Sequence, residues 1–186
     1  MKTEWFGVDG GMSCGKSVII RRLRRKGFRM ICEAARSIIV EGRRAGKPPE
    51  ETRRDEQAFQ KAVLARKIAM EAGLPPSERI GFDRGRGSSI AYNRVYGYDD
   101  SKSVEAALAV RYRLILILEP LPLVVDYARI DFKIAPKLHA LIIHAYQDVG
   151  YKLGEDLITV PVFTEDKWEN IRRRVKFIEE QIKLRC

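Results

Sequence analysis

Gly10-Gly11-Met12-Ser13-Cys14-Gly15-Lys16-Ser17 is the stretch that decides the fold. It fits G-x-x-x-x-G-K-[ST] at every position. Residues 5–9 before it, Trp5-Phe6-Gly7-Val8-Asp9, read as a buried strand. After it, Val18, Ile19 and Leu23 fall at helical spacing and predict a helix over 16–25. A strand–loop–helix setting selects a phosphate cradle over an ordinary Gly-rich turn. The glycines let the chain turn its N–H groups inward, and Gly15 stands at a helix start, where free amides and the helix dipole favour an anion. The expectation is a loop, Gly10, Gly11, Met12, Ser13, Cys14 and Gly15, around the phosphates of ATP or GTP. Lys16 would reach the β- and γ-phosphates, and the Ser17 hydroxyl would ligate Mg²⁺.

Working outward, short apolar runs alternate with longer amphipathic stretches. Strands are expected over 28–32, 79–82, 114–118 and 157–162. Helices are expected over 33–41, ended by Gly42, and over 54–72, 88–96, 135–149 and 165–183. Another should start at a capping Ser101 or Ser103. Residues 43–52, with Gly46, Pro48 and Pro49, read as a loop. The last helix carries Trp168, Ile171, Val175, Ile178 and Ile182 along one stripe. Such alternation implies an α/β protein: a five-stranded parallel sheet with helices on both faces. At 186 residues the chain suits a single domain.

Charge narrows the partners. The formal net charge is +10, which favours nucleotides, polyphosphates or RNA as ligands. The densest basic run, Arg21-Arg22-Leu23-Arg24-Arg25-Lys26, ends the first helix, where cations suit the dipole. An RNA footprint is the less favoured reading, because no aromatic residues interleave. No apolar stretch is long enough to span a membrane, and none resembles a signal peptide, so a cytoplasmic protein is expected. Cys14, Cys32 and Cys186 form no metal pattern and read as reduced thiols. Cys14 inside the loop is either a small filler or a redox-sensitive group. His139 and His144 are not spaced for a shared metal. The helix over 54–72 offers a homodimer face or ordinary core packing.

In parallel sheets, ligands bind beyond the C-terminal ends of the strands. Four segments stand there. Asp83 is a candidate to hold magnesium through water or to take a proton from an attacking hydroxyl, and Arg84 to clamp a phosphate. Glu33 and Arg36, three apart on one helix face, are candidates to receive a substrate hydroxyl and an acidic group, or simply to pair with each other. Glu119-Pro120 opens a segment with Asp126, Arg129 and Asp131 that suits a lid. Arg129 would then stabilise charge on the moving phosphoryl group.

With these residues in hand, the chain resembles small P-loop ATPase/kinase domains related to the ribosylnicotinamide-kinase module of bifunctional NAD-biosynthesis proteins. The carriers are GGMSCGKS, CEAARSII, GFDRG followed by IAYNRVYG, LILILEP with DYARID, and the closing HAYQDVGYKL, ITVPV and RRRVKFIEEQI. The resemblance implies a P-loop NTPase fold, similar to nucleotide kinases. It also implies triphosphate and magnesium at Lys16 and Ser17, acceptor contacts at Glu33 and Arg36, the Asp-Arg-Gly roles at Asp83 and Arg84, and a lid arginine at Arg129. One departure stands out. Relatives often carry an acid just beyond Asp-Arg-Gly, where this chain has Arg86-Gly87-Ser88-Ser89, so the acceptor stays open.

The leading expectation is an ATP- and Mg-dependent phosphotransferase acting on a nucleoside- or vitamin-like hydroxyl. In it Lys16, Glu33, Asp83, Arg84 and Arg129 do the catalytic work. The alternatives are a nucleotide-dependent ATPase or GTPase switch with a protein partner, and a kinase acting on RNA ends.

Overall fold

The computed structural model describes residues 1–121 and 134–186. Its elements run β1 (Phe6–Gly10), α1 (Lys16–Arg25), β2 (Met30–Ile31), α2 (Ala34–Arg44), α3 (Pro49–Thr52), α4 (Glu56–Glu71) and β3 (Gly81–Asp83). Then come α5 (Gly87–Tyr96), α6 (Ser101–Ala109), β4 (Leu114–Leu118), α7 (Ala135–Asp148), β5 (Leu157–Val160) and α8 (Lys167–Arg185). The five strands are parallel, in the order β2-β3-β1-β4-β5.

Period-two alternation sends each strand's side chains to two opposite layers. Phe6, Val8, Leu114, Leu116, Leu118, Ile158 and Val160 bury against Ile19, Ile20 and Leu23 of α1 and Ile171, Val175, Ile178 and Ile182 of α8. On the other face, Phe82, Ile115, Ile117 and Leu157 meet Ile90 and Ala91 of α5 and Leu138, Ile142, Ala145 and Tyr146 of α7. β1 is central, between β3 and β4, and pairs with β4 from Phe6↔Leu114 to Gly10↔Leu118. The phosphate loop therefore leaves the sheet where successive strands diverge to its two sides, which is where such sheets open a ligand crevice. Among the described residues no helix is long and apolar enough to cross a membrane.

Several boundaries differ from expectation for local reasons. β2 is two residues long rather than five: it is the edge strand, and Phe28 turns back so that its N–H donates to Leu23 O and its ring meets Phe6 edge-on at 6.0 Å. Gly42 does not end α2, which continues to Arg44. A Cβ at Gly42 would lie 2.5 Å from Thr52 Oγ1, so the glycine admits α3 rather than breaking the helix. The expected 43–52 loop contains α3, started by Pro49 at its first position. Neither Ser101 nor Ser103 caps α6. Asp100 holds the cap position, Ser101 Oγ donates to Asp99, and buried Ser103 accepts from Asn93. Trp168, in the first turn of α8 behind the Asp166 cap, is 59% exposed rather than buried with the stripe.

Candidate active site

The loop between β1 and α1 has the shape its glycines permit. Gly15 is left-handed (φ 81), as is Ser13 (φ 58). α1 starts with no side-chain cap and no acid in its first turn. Its leading amides and the positive end of its dipole are thus left for an anion. Lys16 is buried, whereas Ser17 is exposed at the same helix start. Cys14 is a filler: its thiol is 2% exposed within the α1–α8 layer, and burial pushes its pKa up despite the opposing charges of Arg84 and Lys16.

Behind the loop lies a ring of charge. The Lys16 ammonium is bonded to Asp83, at the end of β3, and stands 3.8 Å from Glu33, just before α2. Arg84 Nε donates to Glu33 Oε1 at 2.7 Å, and its Nη1 donates to Asp9 Oδ1 and Gly10 O, both at 2.9 Å. Asp9 is fully buried, and its other oxygen accepts from Tyr146 Oη at 2.9 Å. This ring fixes which charges pair. Arg84 Nε and Nη1 are taken up by Glu33, Asp9 and the loop backbone. Glu33 pairs with Arg84 and Lys16, not with Arg36. Burial alone would raise the Glu33 carboxyl, but the Lys16 and Arg84 charges outweigh it and hold it down at about 2. Arg84 adopts a left-handed backbone (φ 74), a strain its partners hold in place.

A cavity of about 710 Å³ opens from the loop and extends between α2, α4 and α5. Glu33, Arg36, Phe59, Gln60, Lys67 and Tyr92 are among the side chains facing it. Its size is within the usual range for small-molecule sites. Tyr92 carries Arg84 over its ring at 5.5 Å. Arg36 is exposed on α2. Asp126, Arg129 and Asp131, the expected lid residues, lie outside the described residues.

Sequence reasoning missed several residues of this site. Lys67 of α4 is buried and donates to Gly85 O at 2.8 Å, Ser88 Oγ at 2.7 Å and Ser89 Oγ at 3.1 Å. Burial lowers its pKa to about 8, against the opposing pull of Asp9. Ser88 and Ser89, just beyond Asp83-Arg84-Gly85, both accept from this lysine. Arg86 turns away from the site to Glu71 at 2.8 Å and Ala106 O. Arg174 of α8 is 1% exposed and donates to Cys14 O, Glu119 O and Pro161 O, each at 2.9 Å. Glu119 itself accepts from Val162 N. Long charged side chains from distant segments give no local sequence signal. Only Asp9 was findable in advance, as a lone acid in an apolar strand just before the loop.

The residues present fit a nucleotide with magnesium. Uncapped amides, a buried lysine and an exposed hydroxyl converge on one loop. Among the described residues no group of three or more Cys, His, Asp or Glu could hold a metal. That suits an ion bound mainly by phosphate oxygens and water, with one or two protein ligands. Ser17 is free for that role, while Asp83 is engaged by Lys16.

Comparison with known proteins places this geometry in a family. A model of the AAA domain matches residues 7–160. No curated protein matches the sequence. Among solved structures, NadR protein in complex with NR superposes with a TM-score of 0.68 at 13% identity, covering 96% of this chain and 50% of that one. Thymidylate kinase from Ehrlichia chaffeensis gives 0.65 at 13% identity, covering 98% and 100%. Deoxyadenosine kinase from M. mycoides with its products gives 0.59 at 14% identity, covering 96% and 98%. The chain thus spans about half the length of the NadR chain, and at these identities the likeness is one of fold. The resemblance read from the motifs holds at that level, with a kinase-like P-loop sheet and its helices. Matched over most of its length, the chain belongs to the AAA-domain family of P-loop proteins.

Proposed function

We propose that the chain is an ATP- and Mg-dependent phosphotransferase whose acceptor is a small nucleoside- or vitamin-like hydroxyl compound. The cavity carries the proposal. A single cavity of about 710 Å³ runs from the phosphate loop past Glu33 to the space between α2, α4 and α5. An NTPase using water as acceptor does not need the part that lies beyond Glu33. An RNA-end kinase is less well supported, because the basic run Arg21 to Lys26 lies toward the far end of α1. That helix is ten residues, or about 15 Å, long.

The nucleotide would be held by the loop amides, Lys16 and Ser17, and bound Mg²⁺ would neutralise charge on its phosphates. The rest is positioning. Asp83 holds the Lys16 ammonium at the loop and is the second carboxylate placed to take the acceptor's proton. Glu33 lines the cavity and, held ionised by Lys16 and Arg84, is the group to orient an acceptor hydroxyl. Arg84 fixes Glu33 against the loop backbone. Arg129 remains a candidate for stabilising the moving charge.

The test is transfer from radiolabelled ATP with a panel of nucleosides, vitamins and RNA ends. We expect a labelled small-molecule product and acceptor-stimulated ATP consumption. Hydrolysis to ADP and phosphate that no panel member alters would sink the proposal in favour of a switch ATPase.

A further inference from the structure

The acceptor chamber is strongly one-sided in charge. Among the described residues lining it, six are cationic (Lys16, Arg36, Arg43, Arg53, Lys67 and Arg84) and Glu33 alone is anionic. Four of the six are answered within the protein. Lys16 is bonded to Asp83, and Arg84 to Asp9 and Glu33. Arg53 is paired with Glu56 at 2.9 Å, and Lys67 gives its three bonds to neutral acceptors. The guanidinium groups of Arg36 and Arg43 make no hydrogen bond or ion pair among the described residues.

Both are exposed, yet both line the cavity. Seven residues apart on α2, they lie two turns from each other, about 10 Å along one stripe. Between them Ile39 and Val40 also face the cavity, and Val40 is 40% exposed there. Phe59 and Val63 of α4 supply further apolar lining. Apolar surface beside an unpaired guanidinium lowers the local dielectric and strengthens its pull on an anion. The planar fork of arginine matches a phosphate or carboxylate with two parallel hydrogen bonds. A neutral or cationic acceptor would leave both forks unanswered.

We infer that the acceptor carries an anionic group of its own, a phosphomonoester or a carboxylate, bound by Arg36 and Arg43 along α2. This rests on the cavity being the acceptor site. It adds that the hydroxyl to be phosphorylated belongs to an already acidic molecule.

Saturation-transfer NMR on the full chain, with Mg²⁺ and a non-hydrolysable ATP analogue filling the phosphate loop, tests this. The probes are ribose 5-phosphate, gluconate and ribose: one phosphomonoester, one carboxylate and one neutral polyol. At least one anion should give a signal five or more times that of ribose. Which anion does so tells the two sources apart. Both arginines are exposed, so the double variant R36Q/R43Q should fold, and it should bring all three probes within twofold of one another. Ribose matching the anions, neither anion binding, or an anion signal surviving the double substitution overturns the inference. The readout does not depend on turnover. Anion binding without transfer to any acceptor would sink the phosphotransferase proposal and leave the anion-binding pocket standing.

Discussion

Arg174 Nη1 donates to the main-chain carbonyl of Cys14 at 2.9 Å, so the last helix grips the phosphate loop directly. The same guanidinium holds Glu119 O and Pro161 O, at the ends of β4 and β5. One buried side chain thus ties three strand-end segments together.

Replacing it should therefore cost stability and nucleotide binding at once. Arg174→Met keeps the length but leaves three carbonyls without their donor. A loss of about 3 kcal/mol in urea unfolding is expected, since each buried unsatisfied group costs about 1–3 kcal/mol and relaxation recovers part of it. Affinity for an ATP analogue should fall about tenfold by calorimetry. Unchanged binding in a destabilised but folded variant would remove Arg174 from the loop's support.

Asp83 binds the Lys16 ammonium, the group expected to reach the phosphates. Asp83→Asn frees the lysine, so calorimetric affinity for the ATP analogue should hold or tighten. Turnover with an active acceptor should drop by about 100-fold, the scale of a lost positioned acid or base. Turnover within threefold of the parent would deny the carboxylate any catalytic part.

Glu33 is ionised in the folded protein down to about pH 2, whereas 4.5 is its ordinary value. Its contribution to stability is complete above pH 4.5 and is lost as pH falls through 4.5 toward 2, because the unfolded chain takes up the proton first. The stability gap between the parent and Glu33→Gln, followed by urea melts, should narrow over that window. A gap constant from pH 6 to 3 would mean that Lys16 and Arg84 do not hold this charge.

Lys67 moves the other way. Buried among neutral acceptors, its ammonium gives up a proton near pH 8 instead of 10.5. Between those values the unfolded chain binds more protons than the folded one, so this group adds stability as pH rises. Relative to Lys67→Met, the parent should gain up to about 3 kcal/mol from pH 8 to 10.5. Over the same window deprotonation removes a donor from the Gly85, Ser88 and Ser89 cluster. Acceptor-dependent turnover of the parent should fall there, with no matching limb in Lys67→Met. Parallel stability curves would place the titration elsewhere.

Much of the fold was legible because it depends on neighbours in sequence. β4, Leu114–Leu118, was found at its full length, since a run of five large aliphatics has few alternatives to a central buried strand. The phosphate loop was legible for a similar reason: its shape is backbone geometry that the glycines and one helix start impose. Where packing between segments set the outcome, the sequence misled. Gly42 reads as a stop and instead lets Thr52 approach. Trp168 reads as core and lies on the surface.

The site divides along the same line. Lys16, Ser17, Glu33, Asp83 and Arg84 were all visible as residues that follow strands, and the parallel sheet brings those ends together. Their pairings were not visible. The sequence offered Arg84 to a phosphate, and Glu33 to a substrate hydroxyl or else to Arg36. Burial beside Asp9 and Lys16 instead joined Arg84 to Glu33.

By itself, then, the sequence determined the alternating strands and helices, the phosphate cradle and the excess of positive charge, because spacing and backbone preference act over a few residues. Only the tertiary structure decided which charges neutralise one another and which stay unanswered along the cavity. Ion pairs in a low-dielectric interior depend on distances between segments as remote as Arg84 and Asp9, or Arg174 and Cys14, and those distances exist only once the sheet has formed.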